Sequence, residues 1–287
     1  MDYRQITWIA SYPKSGNTWL RLFLEAFLRG GEVDINNLLC SVADDTSTRY
    51  QVGDGSDCRT FPVDIQHLAR PMSLLRLVRV FDAGKPHPDM PLFVKTHTAN
   101  MVANGVTMLP EQLTKCTVHI VRDPRDVAVS FSKHLGIEID KVIDYMSDKH
   151  RTLNNETHMA KVHDWISSWR FHTNSYTSSD MVRVRTFRYE DMMYDPLNTF
   201  SQILDHVGLD HTPDRVKQAL DAVDINKMRE KEKTEGFKEA SPKNKAGFFG
   251  AGGSTWNNVL TPSQAHRIEK MAGPFMKKFG YSQRRAA

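Results

Sequence analysis

The sequence predicts an α/β fold: one domain over residues 1–287, with a central, mainly parallel β-sheet flanked by helices. Short apolar runs of strand length alternate with runs of helical spacing, the pattern of a sheet covered on both faces. No internal repeat or long linker divides the chain, and 287 residues suffice for one large domain with a substantial core. The chemically loaded residues all follow strand-like runs directly, and in parallel sheets ligands sit beyond the carboxyl ends of the strands.

The elements follow in order. Ile6 to Ala10 (ITWIA) reads as a strand. From Thr18 the spacing turns helical, with Trp19, Leu22, Phe23, Ala26 and Phe27 on one face and Gly30-Gly31 ending it. Residues 34 to 90 are mixed, and DDTSTRYQVGDGSD reads as loop. Pro86, Pro88 and Pro91 precede a second strand, Leu92 to Lys95, and a third runs from Thr117 to Val121. Helices are predicted near Asp126 to Leu135, Asp140 to Ser147 and Lys161 to Phe171. Met181 to Phe187 alternates like a strand, and helices follow near Pro196 to Val207 and Pro213 to Val223. Lys227 to Gly253 turns polar and then glycine-rich, which predicts a mobile segment, part helix and part loop. A final helix is predicted over Pro262 to Phe279.

Composition narrows the function classes. With 38 basic and 34 acidic residues the formal charge is +4, enough to favour an anionic ligand but far from a nucleic-acid-binding signature. Cys40, Cys58 and Cys116 show no CxxC spacing, so neither a disulfide framework nor a zinc site is implied. Met1-Asp2-Tyr3-Arg4 leads straight into a strand, and the most apolar helix carries Arg21 and Glu25. A cytoplasmic protein with no membrane partner is expected.

Three corners carry the chemistry. At YPKSGNTW, Lys14 to Thr18 join a strand to a helix. The first amides of a helix lack intrahelical partners, and its dipole makes that end positive. Small residues let those amides close on an anion, Lys14 adds a charge, and Ser15, Asn17 and Thr18 add hydrogen-bond donors. The plainer alternative is that Ser15 or Asn17 only caps the helix. The logic is that of a phosphate-binding loop, although GxxxxGK[ST] is absent. At VRDPRDVAVSFSKH, Arg122 ends a strand and Ser130 lies within the next helix, placed to hold one phosphate together. Asp123 and Asp126 offer Arg122 or Arg125 internal ion pairs instead. In FVKTHTAN, His97 stands just past a strand end, facing the same crevice, where an imidazole could take a proton from a nucleophile. His119, inside a strand, and His134, near a helix end, read as structural.

In this order YPKSGNTW, KTH and RDPRDVAVSFSKH resemble the cytosolic sulfotransferases, which use 3′-phosphoadenosine 5′-phosphosulfate (PAPS). RYEDM (Arg188 to Met192) and, more weakly, FFGAGGSTWNNVLT extend the likeness over nearly the whole chain. The resemblance implies a P-loop NTPase-like fold and a set of roles. Lys14, Ser15, Gly16, Asn17 and Thr18 would cradle the 5′-phosphosulfate, with Trp19 and Tyr189 against the adenine. Arg122 and Ser130 would hold the 3′-phosphate. His97 would be the general base, and Lys95 would bind charge around the sulfuryl group. The other substrate would be a small-molecule hydroxyl or amine, and no metal is expected.

Two departures stand out. The glycine-rich segment of the family begins Arg-Lys-Gly and binds the 3′-phosphate; here that register reads Gly250-Ala251-Gly252. Lys243 or Lys245 could substitute, the glycine amides could act alone, or donor recognition could differ. The Lys-Thr-Val-Glu dimer motif of animal members has no match in NNVLTPSQAHRIE, so a homodimer through it is not expected. An ATP-dependent phosphotransferase and a non-catalytic nucleotide-binding protein of the same fold remain the alternatives. Acceptor walls are available in Phe61, Phe81, Tyr145, Trp165, Trp169 and Phe248, residues that would serve a core equally well.

Overall fold

The computed structural model describes residues 3–36, 38, 42–44, 70–84, 90–103, 105–153, 164–180, 183–241, 243, 247–250 and 254–281. Its centre is a five-stranded sheet of β1 (Ile6–Ser11), β2 (Val42–Asp44), β3 (Leu92–Thr96), β6 (Thr114–Val121) and β7 (Val184–Arg188), in the order β2-β3-β1-β6-β7. Every pairing is parallel. A short antiparallel hairpin, β4 (Val102–Ala103) and β5 (Val106–Thr107), lies apart from it.

The strands are apolar on both faces because both faces are covered. In β1, Ile9 joins the core under α1 (Asn17–Leu28), while Ile6, Trp8 and Ala10 join the opposite core with Leu74 and Val78 of α2 (Arg70–Gly84). The same alternation puts Phe93 of β3 on the first face and Leu92 and Val94 on the second. A third core packs α3 (Pro124–Leu135) against α4 (Ile139–Ser147) and α10 (Pro262–Ala272). The other helices are α5 (Trp169–Thr177), α6 (Tyr189–Tyr194), α7 (Pro196–Val207), α8 (Pro213–Ala222), α9 (Ile225–Glu235) and α11 (Pro274–Lys278).

Several expected elements shift. The helix predicted over 161–171 begins only at Trp169, because Ser168 caps it through Phe171 N and residues 165–168 are irregular. Asp164 instead bridges Leu153 and accepts from Thr98 Oγ1 at 3.1 Å, and Ser167 sits at φ 56°. The final helix breaks at Gly273, whose φ of 57° and ψ of −126° are open to glycine but costly for other residues. Helix α2 and the hairpin lie where composition gave no clear period. The polar segment expected from Lys227 contains α9, followed by Phe237, Phe248 and Phe249 packed together at ring separations of 4.7 to 5.3 Å.

The sheet order sets the site. Strand β1 is central, with β3 on one side and β6 on the other, so the order reverses across it. The crevice beyond the carboxyl ends of these strands is where the topology leaves room for a ligand.

Candidate active site

Each loaded corner opens on this crevice: the cradle follows β1, His97 follows β3, Arg122 follows β6 and Tyr189 follows β7. The cradle is more than a helix cap. The N-cap of α1 is Gly16, in the left-handed region at φ 103°, and no side chain caps the helix. Neither Ser15 nor Asn17 takes that part, and the first turn holds no acidic residue. Among the described residues, then, no side chain takes up the amides of its first turn. Lys14 is also left-handed, at φ 66°, a strain that persists only where the surroundings impose it.

The Ser15 hydroxyl is fully buried and has no hydrogen-bond partner among the described residues. Lys14 Nζ lies 4.2 Å from the centre of the Phe248 ring. Burial, then the neighbouring Arg122 and Lys95, push its pKa down to about 8, with Glu239 opposing. Asn17 serves the scaffold: Nδ2 donates to Ile9 O at 3.0 Å and Ser11 Oγ at 3.2 Å, and Oδ1 accepts from Arg21 Nε. The Thr18 hydroxyl donates to the Glu239 carboxylate at 3.3 Å. Trp19 packs edge-on against Tyr189 and Phe200.

Glycine at position 16 is required for space as well as conformation. A Cβ there would meet Tyr189 Cδ2 at 2.6 Å. Gly16→Ala is expected to lower stability by about 1–3 kcal/mol and to displace Tyr189. Urea unfolding checks the first, and affinity for adenosine 3′,5′-bisphosphate (PAP) checks the second.

The second corner separates its two arginines. Arg125 is consumed internally: it pairs with Asp123 at 2.7 Å and Glu269 at 2.8 Å and stacks on Trp256 at 3.9 Å. Asp126 accepts from the amides of Thr255 and Trp256. Arg122 Nη1 donates to Lys14 O at 3.1 Å, and its guanidinium lies over the Tyr189 ring at 4.3 Å. It thereby ties the cradle to the β7 corner while remaining half-buried beside Lys14. Ser130 is half-buried on α3, one turn before His134 on the same face.

His97 is held by the end of β1. Its Nδ1 lies 2.7 Å from Ser11 O, and a carbonyl only accepts, so Nδ1 carries the proton and Nε2 is the basic nitrogen. Lys95 lies in register with Ile9 of β1 and Asp44 of β2, two residues before His97.

The other histidines divide. His119 is buried, bonded to Thr186 Oγ1 at 3.1 Å and stacked on Tyr176 at 4.6 Å. Beside it, His172 is buried, and burial, only partly opposed by a hydrogen bond with the His97 backbone, pushes its pKa down to about 3, so the ring is neutral. His134 belongs to the crevice instead. Burial first, then the fields of Lys14 and Lys95, lower its pKa to about 4. Sequence position near a helix end gave no sign of this proximity.

Gly250 takes Arg229 Nη2 on its carbonyl at 2.9 Å and donates to Phe248 O. Gly252 and Lys245, like Phe61, lie outside the described residues; the backbone of Lys243 donates to Ser241 Oγ. Among the aromatic wall candidates Trp169 is core, and Tyr145 carries the Arg151 guanidinium at 3.7 Å. Among the described residues no cluster of His, Cys, Asp or Glu could hold a metal ion, and no helix is long and apolar enough to cross a membrane.

A parallel sheet with a lysine- and glycine-bearing corner after its central strand and a tautomerically fixed histidine after the neighbouring strand is a P-loop-like layout. The sulfotransferase domain model matches residues 4–280, and the chain belongs to the sulfotransferase family. No curated protein matches the sequence. Among solved structures, the chain is similar to a retinol dehydratase in complex with retinol and PAP, at 16% identity and a TM-score of 0.61, covering 99% of this chain and 84% of that one. A mouse sulfotransferase complexed with PAP matches at 17% identity and a TM-score of 0.57, covering 98% and 86%. At these identities the likeness is one of fold.

Proposed function

We propose that this protein transfers a sulfuryl group from PAPS to the hydroxyl or amine of a small molecule. The observation that carries this reading is the uncapped, acid-free N-terminus of α1, with the orphaned Ser15 hydroxyl and Lys14 beside it, one strand away from His97. Family membership and the PAP present in the similar structures support it.

The residues present fit the donor. PAPS would supply an activated sulfuryl group on a 5′-phosphate, which leaves as PAP. The α1 amides, Ser15 and Thr18 would bind the phosphosulfate. Lys14 would stabilise the charge that grows on the bridging oxygen as the S–O bond breaks, an interaction stronger in the transition state than before it. Arg122 and Ser130 would hold the 3′-phosphate, with Trp19 and Tyr189 against the adenine. Gly250 and Gly252 belong to the glycine-rich segment that this reading places near the 3′-phosphate. His97 Nε2 would accept the proton of the attacking hydroxyl or amine as the new bond to sulfur forms, with Lys95 steadying the sulfuryl oxygens. A single domain over residues 1–287, a cytoplasmic location and no nucleic-acid or membrane partner are part of this proposal.

A screen of phenols, alcohols, amines and sugars with radiolabelled PAPS tests it, paired with calorimetry against PAP. Label transfer to at least one class, and PAP binding without magnesium, are expected. Magnesium-dependent ATP binding tighter than PAP binding would favour the phosphotransferase instead. PAP binding with no transfer to any class would favour the non-catalytic reading.

A further inference from the structure

We propose that Arg21 and Thr18 form an anion subsite of the donor cradle, and that the Glu239 carboxylate holds this subsite as an internal stand-in for a donor phosphate. The proposal rests on the PAPS reading above.

Arg21 lies one turn into α1 from the cradle, and its residue exposure is only 5%. A guanidinium placed there carries a desolvation cost that only well-directed partners offset. Its Nε donates to Asn17 Oδ1 at 3.1 Å and its Nη2 to Thr18 Oγ1 at 3.2 Å, so both residues of the helix start fix its direction. The same Nη2 donates to Glu239 Oε1 at 2.9 Å and Oε2 at 2.7 Å. Thr18 Oγ1 donates to Oε2 at 3.3 Å. A guanidinium and a hydroxyl thus converge on the two oxygens of one anion, the arrangement that suits two oxygens of a phosphate equally well.

The two sides of this contact differ in permanence. Arg21 and Thr18 belong to α1, locked to β1 through Asn17 and Ile9 O. Glu239 arrives from a turn after α9, 218 residues along the chain from Arg21, and its side chain is 37% exposed against 6% for Arg21. The cation is built in and the anion is exchangeable. The carboxylate also reaches into the crevice electrostatically, since it opposes the downward shifts of both Lys14 and His134. The same chain segment lays Phe248 on the Lys14 ammonium. Glu239 and Phe248 therefore cover two cations of the cradle at once, and an incoming donor has to displace Glu239 from Thr18 and Arg21.

Arg21 supplies a guanidinium from the α1 side of the cradle, where the sequence pattern of the glycine-rich segment gives no hint of one.

Calorimetry with PAP on the full-length wild type, Glu239→Gln, Arg21→Gln and Arg21→Lys tests the idea. Removing the internal anion is expected to tighten PAP binding by about 3- to 10-fold, and Arg21→Gln to weaken it by about 10-fold or more. Arg21→Lys, which keeps the charge but loses the fork, should fall between and covers the case in which Arg21→Gln does not fold. Thermal melts establish that each variant is folded. Unchanged or weaker binding by Glu239→Gln would overturn the proposal, as that is the behaviour of a tether that merely anchors the segment. If the wild type itself binds no PAP, the PAPS reading falls with it; if it binds PAP and Glu239→Gln gains nothing, the subsite alone falls.

Discussion

Replacing His97 with alanine is expected to slow sulfuryl transfer by ~10²–10⁴-fold while leaving the affinity for PAP unchanged. The reason is the division of labour in the crevice. The Nδ1 proton is committed to the Ser11 carbonyl at 2.7 Å, so only Nε2 is available as a base. Nothing places His97 on the cradle itself, so donor binding should survive its loss. The same Ser11 accepts from Asn17 through its hydroxyl, which makes the end of β1 a common anchor for base and cradle. His134 provides the internal control. It feels the fields of Lys14 and Lys95, but with its pKa lowered to about 4 it binds a proton too weakly to serve as base near neutrality. His134→Ala should therefore cost far less in kcat than His97→Ala. Wild-type turnover in His97→Ala, or a larger loss in His134→Ala, would reassign the base.

Lys14→Ala is expected to lower kcat by ~10²–10³-fold, the scale found on removing a donor aimed at developing negative charge. Lys14→Arg should retain most PAP affinity and recover part of the rate. The pH dependence carries a sign that can be checked independently. Burial and the neighbouring cations hold the Lys14 ammonium at a pKa of about 8. A bound anion favours the charged form, so PAP binding takes up a proton once the pH exceeds about 8. Lys14 therefore leaves affinity level between about pH 7 and 8, above the phosphate pKa of about 6, and makes it fall as pH rises past 8. In Lys14→Arg this decline should vanish, because a guanidinium stays protonated throughout the range. A wild-type profile that is level up to pH 10, followed by calorimetry in buffers of differing ionisation heat, would remove Lys14 from the role.

Much of the site was legible because its residues sit one step past strand-like runs. Strand-to-helix corners announce themselves locally, through a change of hydrophobic period and a cluster of small residues, and Lys14 to Thr18, His97 and Arg122 all stand just past strands. Arg21 was visible too, as a charge within an apolar helix, yet it was read only as a barrier to membrane insertion. Its spacing of four from Asn17 was the signal available, since side chains so placed meet on a helix.

Glu239 and His134 carried no comparable mark. Each reaches the crevice by packing between segments far apart in the chain, and a single residue's local context holds no record of such a meeting. The fates of Arg122 and Arg125 show the same limit. Both stand in RDPRD with acids at hand; Arg125 takes Asp123 from within that motif, and α10 adds Glu269 from far along the chain. The sequence by itself determined an α/β sheet, a lysine- and glycine-bearing corner after its first strand and a histidine and an arginine after two others. Tertiary structure alone decided which donors there are spent on the scaffold, as Asn17 is, and which stay open, as Ser15 does. Periodicity and turn chemistry act over a few residues, whereas hydrogen-bond and charge partners are chosen by whatever the fold places within a few ångströms.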